Sequence, residues 1–379
     1  MKRIGRQVVA AACASLFFAG GAAAWAAGGD RPATVPCNFI IRNLGALPGD
    51  YLASASGINN AGAAVGYSLT LDFVNFNPVR PVMFFNRNVF LLPTNPQHDL
   101  FGLDRGAAVA INDQPVAVGT VFGAKGPTHA ARFVGSGATD LGTLLPDGNS
   151  YATSINNQGD IVGYADAVVG ENGIQQHAVR YAGGVVTDLG ILPGGGYSIA
   201  TSINAHGVAV GYASIATGEP HAVRFAGGRI IDLGVPRHGS DSQAFGINNQ
   251  GLAVGSANFG GGADHAALFA NGSITDLGVL PGGTTSTATA INRNGHAVGW
   301  SDNGTGFVHP VMFAHRRVLD LGTPAGITDA FPAGVNDLDQ VVGTVRVASS
   351  PIPDTEQTLA VTWTPTGSCP LLDSDASMD

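Results

Sequence analysis

The sequence predicts an all-β fold, namely a seven-bladed β-propeller of four-stranded antiparallel blades. A phrase of Ile or Val, then Asn, then a Val-Gly pair a few residues later occurs seven times at spacings of 44 to 53 residues. That period is typical of repeats in which each unit is one supersecondary element. Charged residues make up only 12% of the chain, and no part of the repeat region has the apolar spacing of an amphipathic helix. The seven asparagines are Asn59, Asn112, Asn156, Asn204, Asn248, Asn292 and Asn336.

The fourth copy shows the elements of one repeat in order. Residues 198–203 are small and β-branched, which favours a strand. The next four residues, from Asn204 to Gly207, suit a type I turn, with Asn at its first position and Gly at its last. Residues 208–212, 221–225 and 229–234 then predict three further strands. Four antiparallel strands in about 44 residues match one propeller blade.

The repeats are joined by loops of the Leu-Pro-Gly-Gly type, such as residues 192–195 and 280–283. Proline and glycine end strand pairing there and redirect the chain to the next blade. A linear β-solenoid is the alternative architecture. It does not need four hairpin-connected strands in each unit, so the sequence favours the propeller.

The two ends of the repeat array predict how the ring closes. Residues 39–45 are an eighth copy of the fourth-strand phrase and precede the first complete repeat. The last repeat has a third strand at 359–363 but a poor fourth one, broken by Pro365 and Pro370. The N-terminal copy can fill that vacancy, antiparallel to residues 359–363. Cys37 would then lie near Pro365 and could form a disulfide with Cys369 that locks the ring.

The N-terminus has the features of a secretory signal. A positive region with Lys2, Arg3 and Arg6 precedes an apolar stretch, and small residues allow cleavage before Ala27. A retained membrane anchor is the alternative. We expect a signal peptide at 1–26, a short segment at 27–37, the propeller at 38–373 and an acidic tail at 374–379. The mature chain would be secreted, to the periplasm or the extracellular space, with no membrane insertion.

The charge of the chain narrows the range of binding partners. Signal removal deletes three positive residues from a chain whose formal net charge is already −9, and it leaves one lysine, Lys125. This balance argues against a phosphate-binding surface, so we expect no nucleic-acid partner. We expect a monomer whose partner is an extracellular glycan or protein.

The combination of His-Ala-x-x-Phe, Asp-Leu-Gly, Leu-Pro-Gly-Gly and Ile-Asn-x-x-Gly-x-x-Val-Gly resembles the bacterial extracellular HAF-repeat family. The resemblance covers residues 38 to about 364. The third position of the His-Ala-Phe element is Val or Ala here, as at Val179, and His309 is followed by Pro310, a further departure. The resemblance implies export and a propeller-like β fold. It implies no reaction and no catalytic residues.

Five repeats carry a His at the start of the third strand and an Asp eleven residues later. The first repeat has Arg80 and Leu91 at these positions, and the last has Leu359 and no Asp. An eleven-residue offset across a tight hairpin places both side chains on one face. We interpret them as structural pairs; a ring of metal or proton-transfer sites is the alternative. The pairs are His129 and Asp140, His177 and Asp188, His221 and Asp232, His265 and Asp276, and His309 and Asp320.

The Asn turns invite comparison with calcium loops, which need several carboxylates. The turn at 156–159 contains none, so we expect no metal there and no cofactor elsewhere. Nucleophile-elbow, zinc-protease and phosphate-loop motifs are absent from the sequence. The chain contains three Glu in all, which makes a Glu-based acid/base pair a poor hypothesis.

These observations favour a binding or interaction scaffold over an enzyme. Long loops between the second and third strands lie on the side of the inter-blade loops, which predicts the binding face. Phe73, Phe76 and Phe122 are the aromatic candidates on it. One alternative is an extracellular carbohydrate-active enzyme with Asp residues at one channel mouth, and another is a structural surface or matrix component. Converging carboxylates at one mouth would favour the enzyme, whereas an aromatic patch would favour binding.

Overall fold

The computed structural model describes residues 37–70, 79–94, 105–122, 126–168, 173–347 and 357–366. These residues form seven four-stranded antiparallel sheets arranged in a ring, so the predicted seven-bladed propeller is confirmed. Among the described residues, no helix combines the length and hydropathy required to cross a membrane.

The strands follow the repeats in chain order. The N-terminal strand is β1 (Asn38–Asn43). Blade 1 contains β2 (Leu52–Ile58), β3 (Ala64–Leu69), β4 (Val79–Phe85) and β5 (Asn88–Leu91). Blade 2 contains β6 (Gly106–Ile111), β7 (Ala117–Phe122), β8 (Thr128–Val134) and β9 (Gly137–Asp140). Blade 3 contains β10 (Ser150–Ile155), β11 (Ile161–Val168), β12 (Ile174–Ala182) and β13 (Val185–Asp188). Blade 4 contains β14 (Ser198–Ile203), β15 (Ala209–Ser214), β16 (Pro220–Ala226) and β17 (Arg229–Gly234).

Blades 5 to 7 continue the pattern. Blade 5 contains β18 (Ser242–Ile247), β19 (Ala253–Asn258), β20 (Asp264–Ala270) and β21 (Ser273–Gly278). Blade 6 contains β22 (Ser286–Ile291), β23 (Ala297–Asp302), β24 (Val308–Ala314) and β25 (Arg317–Asp320). Blade 7 contains β26 (Ile327–Val335), β27 (Val341–Val347) and β28 (Gln357–Thr366), with β1 as its outermost strand.

The first strand of each blade lies innermost and contacts the first strands of both neighbouring blades. These seven strands therefore form the wall of the central channel. We call the side with the Asn turns the lower side. The upper side carries the inter-blade loops and the loops between second and third strands. Hydrophobic cores lie between adjacent blades, built largely from Ala, Val, Ile and Phe.

The glycine of the Val-Gly pair has a steric reason. In every blade the innermost strand carries a one-residue β-bulge opposite this pair, as between Ala200 and Ser202 in blade 4. The bulge presses a backbone carbonyl onto the second strand. A Cβ at Gly211 would lie 1.9 Å from the Ile199 carbonyl oxygen, so only glycine fits there.

The seven Asn side chains form a closed ring at the lower side. Each is buried, and each Oδ1 accepts the N–H groups two and four residues later in its own turn, as Asn204 does from His206 and Val208. Each Nδ2 donates to the carbonyl oxygen of the Asn in the next blade at 3.0–3.1 Å, and the bond from Asn336 to Asn59 completes the circle. The sequence predicted the turns; the inter-blade bond is an additional function of the same side chain.

The ring closes through the predicted strand exchange. Strand β1 pairs antiparallel with β28, and Phe39 lies opposite Pro365. Strand β28 is longer than expected and continues through Pro365, because a strand tolerates a proline where the ladder does not need its N–H. Cys37 is buried, and its sulfur is not a free thiol. Cys369 lies outside the described residues, so the disulfide between them stays a prediction.

Candidate functional site

The predicted His and Asp side chains meet in all five blades that carry them. Each His lies in the first half of the third strand and each Asp ends or nearly ends the fourth, so a hairpin brings the two together. The Nδ1 to Oδ distances are 2.5 Å for His129 and Asp140, 2.7 Å for His177 and Asp188, 2.9 Å for His221 and Asp232, 2.8 Å for His265 and Asp276, and 2.9 Å for His309 and Asp320.

The second carboxylate oxygen of each Asp explains the Asp-Leu-Gly motif. It accepts the N–H of the glycine two residues later at 2.7–2.8 Å, and that glycine has a positive φ, for example 84° at Gly190. Burial alone would raise the pKa of Asp188, but the hydrogen bonds from His177 and Gly190 outweigh it and hold the pKa below its usual value. This carboxylate is therefore ionised and fully engaged in local structure.

A buried serine connects four of the five pairs to the next blade. Ser198 begins the first strand of blade 4, and its Oγ accepts the Ala178 N–H at 2.8 Å and donates to the Gly190 carbonyl at 2.6 Å. Ser150, Ser242 and Ser286 make the same two contacts with their preceding blades. Blade 7 has Ala330 there, and Trp363 Nε1 donates to the Gly322 carbonyl instead, at 3.0 Å.

These contacts favour the structural interpretation of the His and Asp residues. Within the described ranges, no group of three or more His, Cys, Asp or Glu side chains is arranged to hold a metal ion. Blade 1, which lacks the pair, uses a different ion pair in which Arg80 contacts Asp50 of the preceding loop. In blades 1 to 6, a polar pair that includes the first residue of this position therefore stabilises the upper end of the third strand.

At the lower mouth, two carboxylates converge on one amide. Asn60 Nδ2 donates to Asp113 Oδ2 at 3.1 Å and to Asp337 Oδ2 at 2.9 Å, and Asn157 also donates to Asp113. Burial would raise the pKa of Asp113, but the bonds from the Asn60 backbone and from both amides lower it overall. A carboxylate held ionised in this way is a poor general acid.

A further buried His lies beside the Asn ring and was missed by sequence reasoning. His296 is 4% exposed, and its Nδ1 lies 2.8 Å from Asp339 Oδ1, which also accepts from Asn292. Asp339 has a φ of 57° where five other turns have glycine. The signal in the sequence was this Asp at the Gly position of the last Asn turn.

A row of aromatic side chains runs across blades 3 to 5. Tyr151 and Tyr164 stack with ring centroids 4.6 Å apart. Tyr197 meets Tyr212 edge to face at 6.3 Å, and Tyr212 meets Phe245 in the same way at 6.4 Å. We call these five residues the aromatic row. Tyr151 and Tyr164 are buried in a hydrophobic cluster against which Tyr197 and Tyr212 pack, and Tyr197, Tyr212 and Phe245 are partly exposed.

Phe245 departs from the repeat at a position where each of the other blades has a smaller residue. It is the bulge residue of its innermost strand, and the equivalent residues are Ser56, Val109, Thr153, Thr201, Thr289 and Ala333. Thr201 Oγ1 lies 3.0 Å from the Val210 carbonyl and 2.9 Å from the Ala244 carbonyl of the next blade. Phe245 replaces that hydrogen-bonding hydroxyl with a partly exposed ring.

Polar groups flank the row on the upper rim of blade 5. Asp241 precedes the innermost strand that contains Gln243 and Phe245, and Asp264 begins the third strand. Burial and the charge of Asp241 raise the pKa of Asp264. Burial likewise raises the pKa of Tyr212, so its hydroxyl stays protonated. The rim therefore combines protonated donors, a carboxylate pair and aromatic surface.

The three aromatic candidates from the sequence have different outcomes. Phe73 and Phe76 lie outside the described residues. Phe122 ends β7 on the upper side and is partly exposed. The structure thus places one candidate on the predicted face, whereas none of the residues of the aromatic row was among the candidates from the sequence.

Similarity to known proteins is confined to the fold. No protein-family model matches the chain, and no curated protein matches its sequence. The structure is similar to a Mycobacterium tuberculosis puromycin-hydrolyzing peptidase, with a TM-score of 0.52 and 10% identity over 83% of this chain and 53% of that one. It is also similar to a Pyrococcus horikoshii acylaminoacyl peptidase, with a TM-score of 0.50 and 11% identity over 81% and 52%. The chain spans about half the length of both peptidases.

Proposed function

We propose that this protein is an exported binding scaffold whose ligand enters the upper mouth of the channel and contacts the aromatic row. The observation that carries the proposal is Phe245. All seven blades have a bulge at this position, and six of them carry a smaller residue there, so the backbone does not require an aromatic ring. A partly exposed ring in contact with Tyr212 adds apolar surface to the channel wall, and aromatic surface flanked by polar groups is typical of ligand sites.

The ligand class that suits this wall is an extracellular glycan or a protein segment. Tyrosine rings offer flat apolar faces together with hydroxyl donors, and Asp241 and Gln243 supply hydrogen-bonding groups beside them. Export is part of the proposal because the N-terminal 26 residues have the charge and apolar pattern of a signal peptide. N-terminal sequencing of protein recovered from outside the cytoplasm should begin at Ala27.

The test combines a ligand screen with a consensus substitution. Purified mature protein is screened against oligosaccharides and cell-envelope fractions, and each ligand found is titrated against Phe245→Thr and Val109→Thr. Both variants place at a bulge the threonine that three other blades carry, so both should fold with an unchanged melting temperature. Binding should fall at least about tenfold in Phe245→Thr, the effect of losing one aromatic contact of about 1.4 kcal/mol, and stay unchanged in Val109→Thr.

The outcome decides between binding and structure. If Phe245→Thr binds like the wild type, the aromatic row is not the site. If Phe245→Thr is strongly destabilised while Val109→Thr is not, the ring is a packing element of blades 4 and 5. A screen without any ligand would favour the structural surface or matrix component.

A second candidate is hydrolysis by the carboxylates on the rim of blade 5. One specific observation favours it: the pKa of Asp264 is raised by burial and by Asp241, and acid/base pairs in glycoside hydrolysis consist of two carboxyl groups with separated pKa values. Asp264→Asn would abolish hydrolysis of a bound oligosaccharide but leave its binding intact. Equal product formation by both proteins, or none by either, would rule out this role for Asp264.

A further inference from the structure

The seam between blades 7 and 1 differs from the other six blade junctions at one register position. The residue that pairs with the Val of the Val-Gly element is long in six blades: Met83, Arg132, Arg180, Arg224, Leu268 and Met312. In blade 7 it is Thr362, opposite Val342. A short side chain therefore stands at the seam where every other blade has a long one.

Blade 3 shows what the long side chain does. Arg180 forms an ion pair with Asp160 at 2.7 Å. Its guanidinium also reaches the turn of the next blade, 3.6 Å from the position that a Cβ on Gly207 would occupy. Gly62 is the equivalent turn glycine of blade 1. At the seam, Thr362 is too short to reach this turn, and the Gln340 Oε1 lies 3.4 Å from the position that a Cβ on Gly62 would occupy.

A cleft of about 340 Å³ lies at this seam. Its lining consists of Ile40, Arg42, Ile58, Gly62, Gln340, Thr362 and Thr364. Strand pairing sets Arg42 opposite Thr362 and Ile40 opposite Thr364, so two strands of blade 7 present one face to blade 1. The volume lies within the roughly 300–1,000 Å³ range of small-molecule sites.

The polar groups of the cleft are mostly donors. Arg42 makes no ion pair within the described part of the chain. The Gln340 Oε1 already accepts from Asn336 at 2.8 Å, so the remaining hydrogen-bonding group of that side chain is its NH₂. Thr362 and Thr364 add two hydroxyls. None of the described lining residues is acidic, although the chain as a whole carries 27 acidic against 18 basic residues.

We propose that this seam cleft is a second binding site, separate from the channel, for a sugar acid of the uronic acid class. The carboxylate of the ligand pairs with the Arg42 guanidinium, which presents a fork of donors to both oxygens. Its hydroxyls bond to Gln340 and to the two threonines, and the side chains of Ile40 and Ile58 cover its apolar edge. Strand exchange brings Ile40 and Arg42 to blade 7, where the short side chain of Thr362 also lines the cleft.

The experiment uses the whole mature protein and isothermal titration with galacturonic and glucuronic acids, and with galactose and glucose as uncharged controls. We expect the acids to bind and the neutral sugars to bind at least about tenfold more weakly, the effect of a charge-assisted bond. Arg42→Gln should lose the preference for the acid. Thr362→Met, which installs the residue of blades 1 and 6, should fill the cleft and abolish binding of both acids.

Two controls keep the proposal open to refutation. Arg132→Gln removes an exposed arginine from the equivalent register of blade 2 and should bind like the wild type. Absence of uronic acid binding in the wild type, equal binding of acids and neutral sugars, or unchanged binding in Arg42→Gln would each overturn the site. If Thr362→Met does not fold, Arg42→Gln and Arg132→Gln decide the matter.

Discussion

Replacing Asn204 by Asp tests whether the ring of asparagines holds the propeller closed. The change is isosteric and keeps an oxygen that can accept the N–H groups of His206 and Val208. It removes the NH₂ group that donates to the Asn248 carbonyl at 3.0 Å. The substitution therefore breaks one inter-blade bond and leaves the turn intact.

The expected cost follows from burial. Asn204 is 5% exposed, so the new carboxylate is buried. It faces the Asn248 carbonyl oxygen, which no longer has a hydrogen-bond donor. A buried polar group without a partner costs about 1–3 kcal/mol, and a charged one costs more. We expect Asn204→Asp to lower the free energy of unfolding by about 3 kcal/mol at pH 7.

Acidification should reverse most of this loss. The protonated carboxyl can donate to the Asn248 carbonyl, so folding raises the pKa of the new Asp above its unfolded value of about 3.9. The protonated form is favoured in the folded state, and its stability is fully present below the unfolded pKa and disappears as the pH rises through the folded pKa. The deficit relative to the wild type should therefore shrink from pH 7 towards pH 4.

Urea denaturation, followed by circular dichroism at several pH values, measures the deficit. Asn249→Asp is the matched control. Asn249 is exposed and follows Asn248 in the turn of blade 5. Its Oδ1 accepts the Ala205 N–H at 2.8 Å, and a carboxylate can also accept this bond. We expect a change within about 0.5 kcal/mol. Equal stability of Asn204→Asp and the wild type at pH 7, or a deficit that grows on acidification, would refute the reasoning.

Three further predictions concern the blades and the closure. His221→Ala should cost about 1 kcal/mol in thermal or urea denaturation, at the low end for a stranded partner because the Asp side chain is 39% exposed, and metal content should not change. Asp188→Asn should flatten the acid limb of the stability profile, because a lowered pKa gives stability above about pH 3.9 that is lost as the pH falls. Non-reduced protein should contain no free thiol, and Cys37→Ser should expose one at Cys369; two titratable thiols in the wild type would exclude the disulfide.

The features that could be read from the sequence are those that most blades repeat. Turn chemistry at Asn-x-x-Gly, the hairpin at Ala-Gly-Gly and the eleven-residue His to Asp offset are local, and local geometry follows from local sequence. The strand exchange was also predictable, because residues 39–45 copy the fourth-strand phrase outside any complete repeat. Each of these predictions depends on residues close together in the chain or identical between copies.

Contacts between blades could not be predicted from one repeat. The bond from Asn204 to Asn248, and the link from Ser198 to Gly190, depend on how far adjacent blades stand apart and how they are rotated. The close approach comes from bulges and small residues; a Cβ at Gly57, for example, would lie 2.9 Å from the Val109 carbonyl oxygen. Such distances arise only when the ring is complete, so a repeat read alone shows a turn residue where the molecule has a ring of hydrogen bonds.

In this chain, the positions that depart from the repeat are the candidates for function. A residue type that recurs at equivalent positions meets a structural requirement that the blades share. The His, Asp, Ser and Asn contacts are the structural roles of the recurring residues. Phe245 and Thr362 depart from the residues at equivalent positions. Phe245 is a large ring where the other blades have a smaller residue, and Thr362 is short where the other blades have a long side chain. Because the backbone is the same in each blade, the local fold does not require either residue. A ligand at the channel wall would account for Phe245, and a ligand at the seam would account for Thr362. Replacing each residue by one that other blades carry at the same position tests these two proposals and leaves the Asn ring intact.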